Sequence, residues 1–171
     1  MENTNTTVIN SYLSFKLDDE LFAANVSKVI NILELVKITK VPQSPEYMKG
    51  VINLRGKVLP IVDIRIKFGM SALEFKKETV ILVLNVEIEG ETIEVGALVD
   101  SVQEVIEINN TEILPPPAIG AKFKSKFIDG VYKHSQEQFI MLINLDKIFS
   151  SDEVIMLKES AENQESEATF I

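Results

Sequence analysis

The most informative segment of the chain reads Gly50-Val51-Ile52-Asn53-Leu54-Arg55-Gly56-Lys57-Val58-Leu59-Pro60-Ile61-Val62-Asp63-Ile64. Its apolar residues predict two strands joined at Arg55-Gly56, because glycine readily adopts the positive φ that a tight hairpin turn requires. Pro60 cannot donate a backbone hydrogen bond. We therefore expect the second strand to lie at a sheet edge, or to be bulged, at Pro60.

Strands are predicted on both sides of this hairpin. Leu13, Phe15 and Leu17 alternate with polar residues, which is typical of a strand with one buried face. Asp18-Asp19-Glu20 then indicates a turn before a return strand. The other predicted elements are a helical turn leading into a strand at 26–33, a hairpin over 79–88 and 92–99, a stiff loop over 115–125, a strand at 139–145, and a helix over 147–159 with a frayed acidic tail.

The two halves of the chain resemble each other. Residues 47–51 resemble residues 127–131 at an offset of 80, and residues 61–64 resemble residues 142–145 at an offset of 81. A third correspondence, at an offset of 73, links two sets of apolar residues: Val26, Val29 and Ile32, and Val99, Val102 and Val105. The repeat predicts two copies of a small β unit, each with roughly five strands, enough to close as a barrel. A groove between the units is then an expected binding place.

The composition excludes several kinds of site. The 171 residues include no cysteine and one histidine, His134, so disulfides, thiolate metal sites, cysteine nucleophiles and histidine-rich zinc sites are excluded. His134 lies in a polar stretch and is expected to be a solvated turn residue. The formal net charge of −9 argues against nucleic acid as the main partner, because neutralising phosphates requires clustered cations.

The sequence shows no sign of export or of membrane insertion. Its first residues are polar and lack the basic and apolar regions of a signal peptide. The densest apolar run, residues 80–84, is far too short to span a bilayer. We therefore expect a cytoplasmic protein.

Charge is unevenly distributed along the chain. Residues 28–67 contain eight basic and three acidic side chains, whereas residues 68–114 contain two basic and ten acidic ones. Residues 152–171 contain one basic and six acidic side chains. The pattern indicates either an ordinary solvated surface or a polarised molecule that docks different partners at its two ends.

No motif in the sequence indicates a reaction. Residues 50–57 differ from a phosphate-binding loop, because the second glycine is displaced and Val58 stands where a hydroxyl would hold magnesium. The G-x-S-x-G pattern of a nucleophile elbow does not occur. The sequence therefore assigns no catalytic residue, no metal ligand and no cofactor, and it offers surfaces and a groove instead.

The segment at 50–56, together with Leu59-Pro60-Ile61-Val62-Asp63-Ile64-Arg65, closely resembles the CheW family of bacterial chemotaxis coupling proteins. The likeness extends upstream to Val26-x-x-Val29 and downstream to Val99-Asp100-x-Val102 and residues 130–145. It covers roughly residues 11–149.

The resemblance implies an all-β fold of two SH3-like five-stranded β-barrels in tandem, followed by a short C-terminal helix. We expect a CheW-like domain over residues 10–150, with barrel one at about 11–70 and barrel two at about 79–150. Whether strands, above all the N-terminal hairpin, are exchanged between the barrels is left open. Residues 151–171 are expected to form the C-terminal helix and acidic tail.

The resemblance also implies a function without catalysis. Such adaptors couple methyl-accepting chemoreceptors to the histidine kinase CheA and support assembly of receptor arrays at the membrane. The cytoplasmic helical-hairpin tip of the receptor docks in the groove between the barrels, in the manner of a helix in an apolar groove. Kinase and adaptor pair barrel end to barrel end.

The receptor-binding residues are likewise implied by the resemblance. Arg55 matches the family arginine tied to receptor coupling, and Val29 and Gly50 match positions linked to docking and signalling. Asn53 and Leu54 complete the motif. Each assignment has a structural alternative: Arg55 as a surface turn arginine, and Val29 and Leu54 as ordinary core residues.

Asn31 departs from the family pattern. The family commonly has glutamate at this position, two residues after Val29, where it is a plausible ion partner for the arginine. Asn31 can still accept a hydrogen bond, but without the charge-assisted component. We include Asn31 in the receptor site, and expect Arg55 to turn to Glu34 or to remain free for the partner. The sequence assigns no kinase-binding residues.

Two alternatives for the function remain at this stage. One is a CheW-like adaptor of a non-chemotaxis pathway; an adaptor that carries a receiver domain is disfavoured by the short tail. The other is a small-ligand binder or an enzyme that uses the groove between the barrels. A buried cluster of titratable groups at that groove would favour the second alternative.

Overall fold

The structure, a computed structural model, describes residues 7–116 and 125–169. Most of the predicted loop at 115–125 lies outside the described residues. The strands are β1 Ile9–Leu17, β2 Glu20–Asn25, β3 Val29–Glu34, β4 Met48–Leu54, β5 Lys57–Asp63, β6 Val80–Ile88, β7 Glu91–Val99, β8 Ser101–Asn109, β9 Ile113–Leu114, β10 Ile128–Lys133 and β11 Phe139–Ile143. The helices are α1 Ile64–Lys67 and α2 Ser151–Thr169, and short 3-10 turns follow β2, β8 and β11.

The strands form two curled, mixed sheets in which most neighbouring strands are antiparallel. The first sheet has the order β3-β6-β7-β5-β4, and the second has the order β8-β1-β2-β11-β10-β9. In the first sheet, Thr39 and Val51 exchange backbone hydrogen bonds of 2.9 and 2.8 Å, which ties the chain beyond β3 to the opposite edge strand β4. In the second sheet, β9 follows β8 after one 3-10 turn and pairs with β10. The predicted all-β fold of two small barrels is confirmed, with a short sixth strand in the second.

The barrels are not consecutive pieces of the chain. The N-terminal hairpin β1–β2 lies in the second barrel, and the hairpin β6–β7 lies in the first. The first barrel therefore spans β3 to β7, while the second combines β1 and β2 with β8 to β11, unlike the expected ranges 11–70 and 79–150. The reason is the short connections: only the 3-10 turn Val26–Lys28 separates β2 from β3, and only Asp100 separates β7 from β8. One residue cannot turn the chain back, so β8 leaves the first barrel and pairs with β1.

The internal repeat is confirmed in the details of the backbone. β4 has a bulge between Met48 and Gly50, and β10 has one between Ile128 and Gly130, at the predicted offset of 80. A Cβ on Gly50 would lie 2.1 Å from the carbonyl oxygen of Thr39, and a Cβ on Gly130 would lie 2.4 Å from the Ile113 side chain. Each glycine thus allows the closing segment of its barrel to approach, which gives Gly50 a structural role.

The barrels are fused through a shared apolar layer. Phe22 of the second barrel packs on Phe68, which follows α1, with ring centroids 5.5 Å apart. Phe68 in turn packs on Phe127 at 5.4 Å. Each barrel also has a smaller interior cluster of its own. The space between the barrels is therefore a packed core and not the groove that the sequence predicted, because large apolar side chains fill it. The groove described below is lined by the first barrel and α2 instead.

Pro60 pairs with a neighbouring strand on one side only, as predicted, although its strand is not at the sheet edge. β5 is an inner strand, but its parallel ladder to β7 begins at Ile61, paired with Gly96. Pro60 is paired with Val51 of β4 only. The missing N–H therefore interrupts no ladder with β7.

The C-terminal helix begins later and extends further than predicted. Residues Leu145–Lys147 form a 3-10 turn, and α2 starts at Ser151. The start is fixed by a capping box, in which the Ser150 hydroxyl accepts from the Glu153 N–H at 3.2 Å and the Glu153 carboxylate accepts from the Ser150 N–H at 2.9 Å. Val154 and Leu157 bury the first turns of α2 in the shared apolar layer.

A buried ion pair secures the crossing between β7 and β8. The Arg65 guanidinium lies 3.1 Å from the Asp100 carboxylate, and both side chains are largely buried. Asp100 also accepts a hydrogen bond from the Asp18 N–H at 2.5 Å, and its own N–H donates to the Lys16 carbonyl at 3.0 Å. One residue thereby joins α1, the crossing and the turn of the exchanged hairpin.

We predict that Asp100→Ala lowers the free energy of unfolding by about 3 kcal/mol, because it leaves the Arg65 charge buried without its partner. The control is Lys147→Ala, which removes an exposed pair with Asp129 at 3.8 Å and should change stability by less than about 1 kcal/mol. Urea unfolding of both variants measures the difference. Equal, small losses would contradict a stabilising role for Asp100.

Candidate functional site

The Asn-Leu-Arg-Gly bend is an exposed two-residue hairpin turn. Leu54 pairs with Lys57, and the two central residues, Arg55 and Gly56, have φ values of +52° and +83°. Positive φ at both positions is what a type I′ turn requires. The Asn53 side-chain oxygen accepts from the Gly56 N–H at 3.0 Å. Asn53 therefore fixes the shape of the turn that presents Arg55.

Arg55 is exposed, and its guanidinium forms no ion pair or hydrogen bond with the rest of the described chain. The expected partners do not engage it. The Asn31 side-chain oxygen accepts from the Ile32 N–H at 2.8 Å, within its own strand, and Glu34 is exposed on β3. Of the two predictions for Arg55, the structure supports the one in which it remains free for a partner.

β3 presents an apolar outer face that the sequence analysis missed. Val29, Asn31 and Leu33 are half-buried, whereas Ile30 and Ile32 point outward and are 50% and 46% exposed. Val29 packs against the shared apolar layer, so the core interpretation fits it better. The alternation in burial follows strand periodicity. In the sequence, apolar residues stand on both sides of Asn31 without alternating with polar ones, so their pattern does not show that the two isoleucines point outward.

An open groove of about 580 Å³ connects β3 with the bend. Ile30 and Leu54 both line it, together with Lys57, Val58 and Pro60 of β5. Its remaining lining residues come from β5, β6, β7 and α2: Leu59, Asn85, Thr92, Ile93, Glu94, Lys158, Ala161 and Glu162. Leu54 is half-buried, so it both packs in the first barrel and faces the groove.

The predicted site residues therefore separate into two groups. Asn53, Leu54 and Arg55 lie together in the bend, and Leu54 faces the groove. Val29 and Asn31 flank Ile30, the β3 residue that lines the same groove. Gly50 lies apart from both groups, buried under Thr39.

The charged groups of the groove are surface groups. Lys57 lies 3.9 Å from Glu94 in an exposed pair. Within residues 7–116 and 125–169, no three His, Cys, Asp or Glu side chains are arranged to hold a metal ion. The arrangement can bind an apolar surface flanked by charge.

The buried carboxylate of Asp63 does not line the groove and accepts hydrogen bonds from backbone N–H groups. It accepts from the N–H groups of Arg65 at 3.0 Å and Leu73 at 2.8 Å, and it caps α1. Burial raises its pKa, against these two hydrogen bonds and the nearby charges of Lys49 and Arg65. In the repeat, Asn144 replaces it and caps the turn after β11 through one N–H, of Asp146 at 3.1 Å. The donor group of Asn144 faces Asp129 at 3.2 Å.

Residues 11–153 match the family model of the CheW-like domain. The chain belongs to the CheW-like family. Chemotaxis protein CheW of Rhizobium meliloti is 37% identical over 141 residues, covering 82% of this chain and 88% of the relative. Chemotaxis protein CheW of Klebsiella aerogenes is 30% identical over 157 residues, covering 92% of both. The crystal structure of the scaffolding protein TtCheW from Thermoanaerobacter tengcongensis superposes with a TM-score of 0.73 and 32% identity, covering 85% of this chain and 95% of that one.

As a CheW-like protein, the chain is an adaptor of chemotaxis signalling. The two-barrel architecture predicted from the sequence agrees with the TtCheW structure. None of the helices in the described part of the chain has the length and apolar character needed to cross a bilayer.

An ion pair fixes the start of α2, the helix whose later residues line the groove. The Lys67 ammonium lies 2.7 Å from the Glu153 carboxylate. Burial opposes ionisation of Glu153, but hydrogen bonds from Lys67 and from the Ser150 N–H, with the Lys67 charge, outweigh it and hold the pKa of Glu153 below its usual range. A lowered pKa in the folded state contributes stability that is present above the unfolded-state pKa and is lost as the pH falls through the folded-state value.

We predict that Glu153→Gln destabilises the protein most at neutral pH, and that its difference from the wild type shrinks as the pH falls below about 4, where the unfolded carboxylate is protonated. Urea unfolding at a series of pH values measures this difference. The control is Glu159→Gln, an exposed residue of the same helix. A loss of stability for Glu153→Gln that is independent of pH would contradict the stated role of the ion pair.

Proposed function

We propose that this CheW-like chain couples the cytoplasmic tip of methyl-accepting chemoreceptors to the histidine kinase CheA, in the cytoplasm, at receptor arrays on the membrane. It acts without catalysing a reaction. The observation that carries the proposal is the exposed Arg55, which pairs with no other described residue and is presented by a fixed turn next to a groove with apolar anchors. The family membership supports the same assignment.

The receptor tip is a helical hairpin, and the groove suits one of its helices. Ile30 and Leu54 provide apolar anchors from two different strands, as helix-in-groove recognition requires. Arg55 follows Leu54 directly and keeps its donors available for a carboxylate on the incoming helix, in a charge-assisted hydrogen bond. The Asn31 side-chain oxygen accepts from the Ile32 N–H of its own strand, so Asn31 does not take up the Arg55 guanidinium.

The second barrel offers a separate surface for the kinase. Val105 of β8, 60% exposed, is the repeat counterpart of Ile32 in β3. Separate surfaces on two fused barrels allow receptor and kinase to be held together. A change at the receptor then shifts the kinase equilibrium, through a coupling free energy of about 1–3 kcal/mol. Each contact can be modest, because assembly in an array is multivalent.

No observation on the described residues favours the alternatives. An enzyme or ligand binder that used this groove would need a buried cluster of titratable groups in it. The lysines and glutamates that line the groove are at the surface instead. A non-chemotaxis pathway has no structural feature in its favour.

We predict that Arg55→Asn keeps or raises stability and abolishes receptor coupling. Arginine at a positive φ costs about 1 kcal/mol, which asparagine largely avoids. The variant thus removes the guanidinium while favouring the same turn. Stimulation of kinase autophosphorylation in a reconstituted mixture with receptor measures coupling, and thermal melting measures stability.

The matched control is Glu89→Asn, since Glu89 has the same φ of +52° in the hairpin turn between β6 and β7. It should gain similar stability and retain coupling. If Arg55→Asn activates the kinase as well as the wild type, then the proposed role of Arg55 is wrong.

We predict that Ile30→Asp and Val29→Asp act differently although they are neighbours. Ile30 is half-exposed in the groove, so Ile30→Asp should leave stability within about 0.5 kcal/mol of the wild type and weaken receptor binding. Val29 packs on the shared layer, so Val29→Asp should destabilise the fold by burying a charge. Pull-down with a receptor fragment and melting curves distinguish them. Normal receptor binding by Ile30→Asp would exclude the groove as the docking site.

A further inference from the structure

The helix α2 lies beside the candidate docking groove. Lys158, Ala161 and Glu162 line the groove together with Ile30 and Leu54. A helix that enters the groove to reach Ile30 and Leu54 therefore also meets the last described side chains of α2.

α2 is held in this place by three kinds of contact. Val154 and Leu157 are buried in the shared apolar layer. Glu153 pairs with Lys67 at the start of the helix. Lys158, one turn further on, forms an ion pair with Glu91 of β7. The groove wall is thus tied to α1 and to β7 of the first barrel.

The wall is acidic. The Lys158 hydrogen bond and charge hold the pKa of Glu91 below its usual range, as expected of a formed pair, so the positive charge of Lys158 is balanced by the Glu91 carboxylate. Glu162 is exposed and makes no ion pair with any other described residue. From residue 159 to the end, the sequence contains four glutamates and no basic residue.

The bend at the other end of the lining carries a base. Lys57 and Glu94 line the groove as an exposed pair 3.9 Å apart, whereas Arg55, which follows Leu54 in the turn, pairs with no other described residue. The groove therefore has apolar anchors, with Arg55 at the bend and Glu162 on α2 as charges that no other described residue pairs. Such an arrangement fixes the orientation of a bound helix, because a reversed helix would bring like charges together.

We propose that α2 forms the acidic wall of the docking groove, and that the groove selects an amphipathic helix with an acidic side chain on the flank facing Arg55 and a basic side chain on the flank facing Glu162. The proposal rests on the proposed function, because it places the receptor helix in this groove. It adds α2 as a contact that determines specificity.

The test measures binding of a fluorescently labelled chemoreceptor helical-hairpin tip fragment to the full-length chain by anisotropy. Ala161→Trp fills the groove from the α2 side, and Glu162→Lys reverses the charge of the wall. Each should weaken binding by about tenfold or more. The matched controls are Ile155→Trp and Glu159→Lys, which make the same changes at exposed α2 positions outside the groove lining and should bind like the wild type.

The outcomes separate this proposal from the proposed function. If Glu162→Lys and Ala161→Trp bind like the wild type while Arg55→Asn fails to bind, α2 is not a wall of the site, and the receptor-coupling function stands. If the wild-type chain itself does not bind the fragment, the proposed function fails and this inference with it. Circular dichroism checks that the variants fold, and should Ala161→Trp unfold, the exposed Glu162→Lys decides alone.

Discussion

The short connections between the two barrels are the constraint from which the rest of the architecture follows. Because Asp100 alone separates β7 from β8, the chain passes straight from the first barrel into the second. The turn at Val26–Lys28 brings the chain across in the opposite direction. Each hairpin therefore completes the barrel of the other half. The exchange makes the two barrels one cooperative body, with a shared apolar layer and with the Arg65–Asp100 pair at the crossing.

The packed connection between the barrels bears on how an adaptor works. A signal that passes between two docking surfaces without chemistry requires the surfaces to move together or to exchange two defined states. The shared layer of Phe22, Phe68 and Phe127 links the barrels through closely packed rings. The groove at its margin is formed by strands of the first barrel and by α2, whose first turns are anchored in that same layer. A partner that docks in the groove therefore contacts the same helix that packs between the barrels.

Local sequence signals predicted the hairpins, the Arg55-Gly56 turn and the repeat, because turns and bulges depend on glycine at defined places. Gly50 and Gly130 occupy equivalent bulges for this reason. The sequence analysis left the exchange of the hairpins open, because strand periodicity shows which residues are buried but not which strands pair. The short crossings at Val26–Lys28 and Asp100 decide it in the structure. The start of α2 carried a readable signal, the Ser150-x-x-Glu153 capping box. The groove was predicted between the barrels, but Ile30 and the α2 residues that line it depend on non-local packing.

The exchanged hairpins also determine when the chain can fold during synthesis. The first barrel is incomplete until residue 99, the end of β7, has left the ribosome, although its β3 to β5 are made much earlier. The hairpin β1–β2, the first part to emerge, waits for β8 and β11 before its edges are covered. Native closure of the first barrel thus waits for residue 99 and that of the second for residue 143, and the nascent chain exposes unpaired strand edges until then.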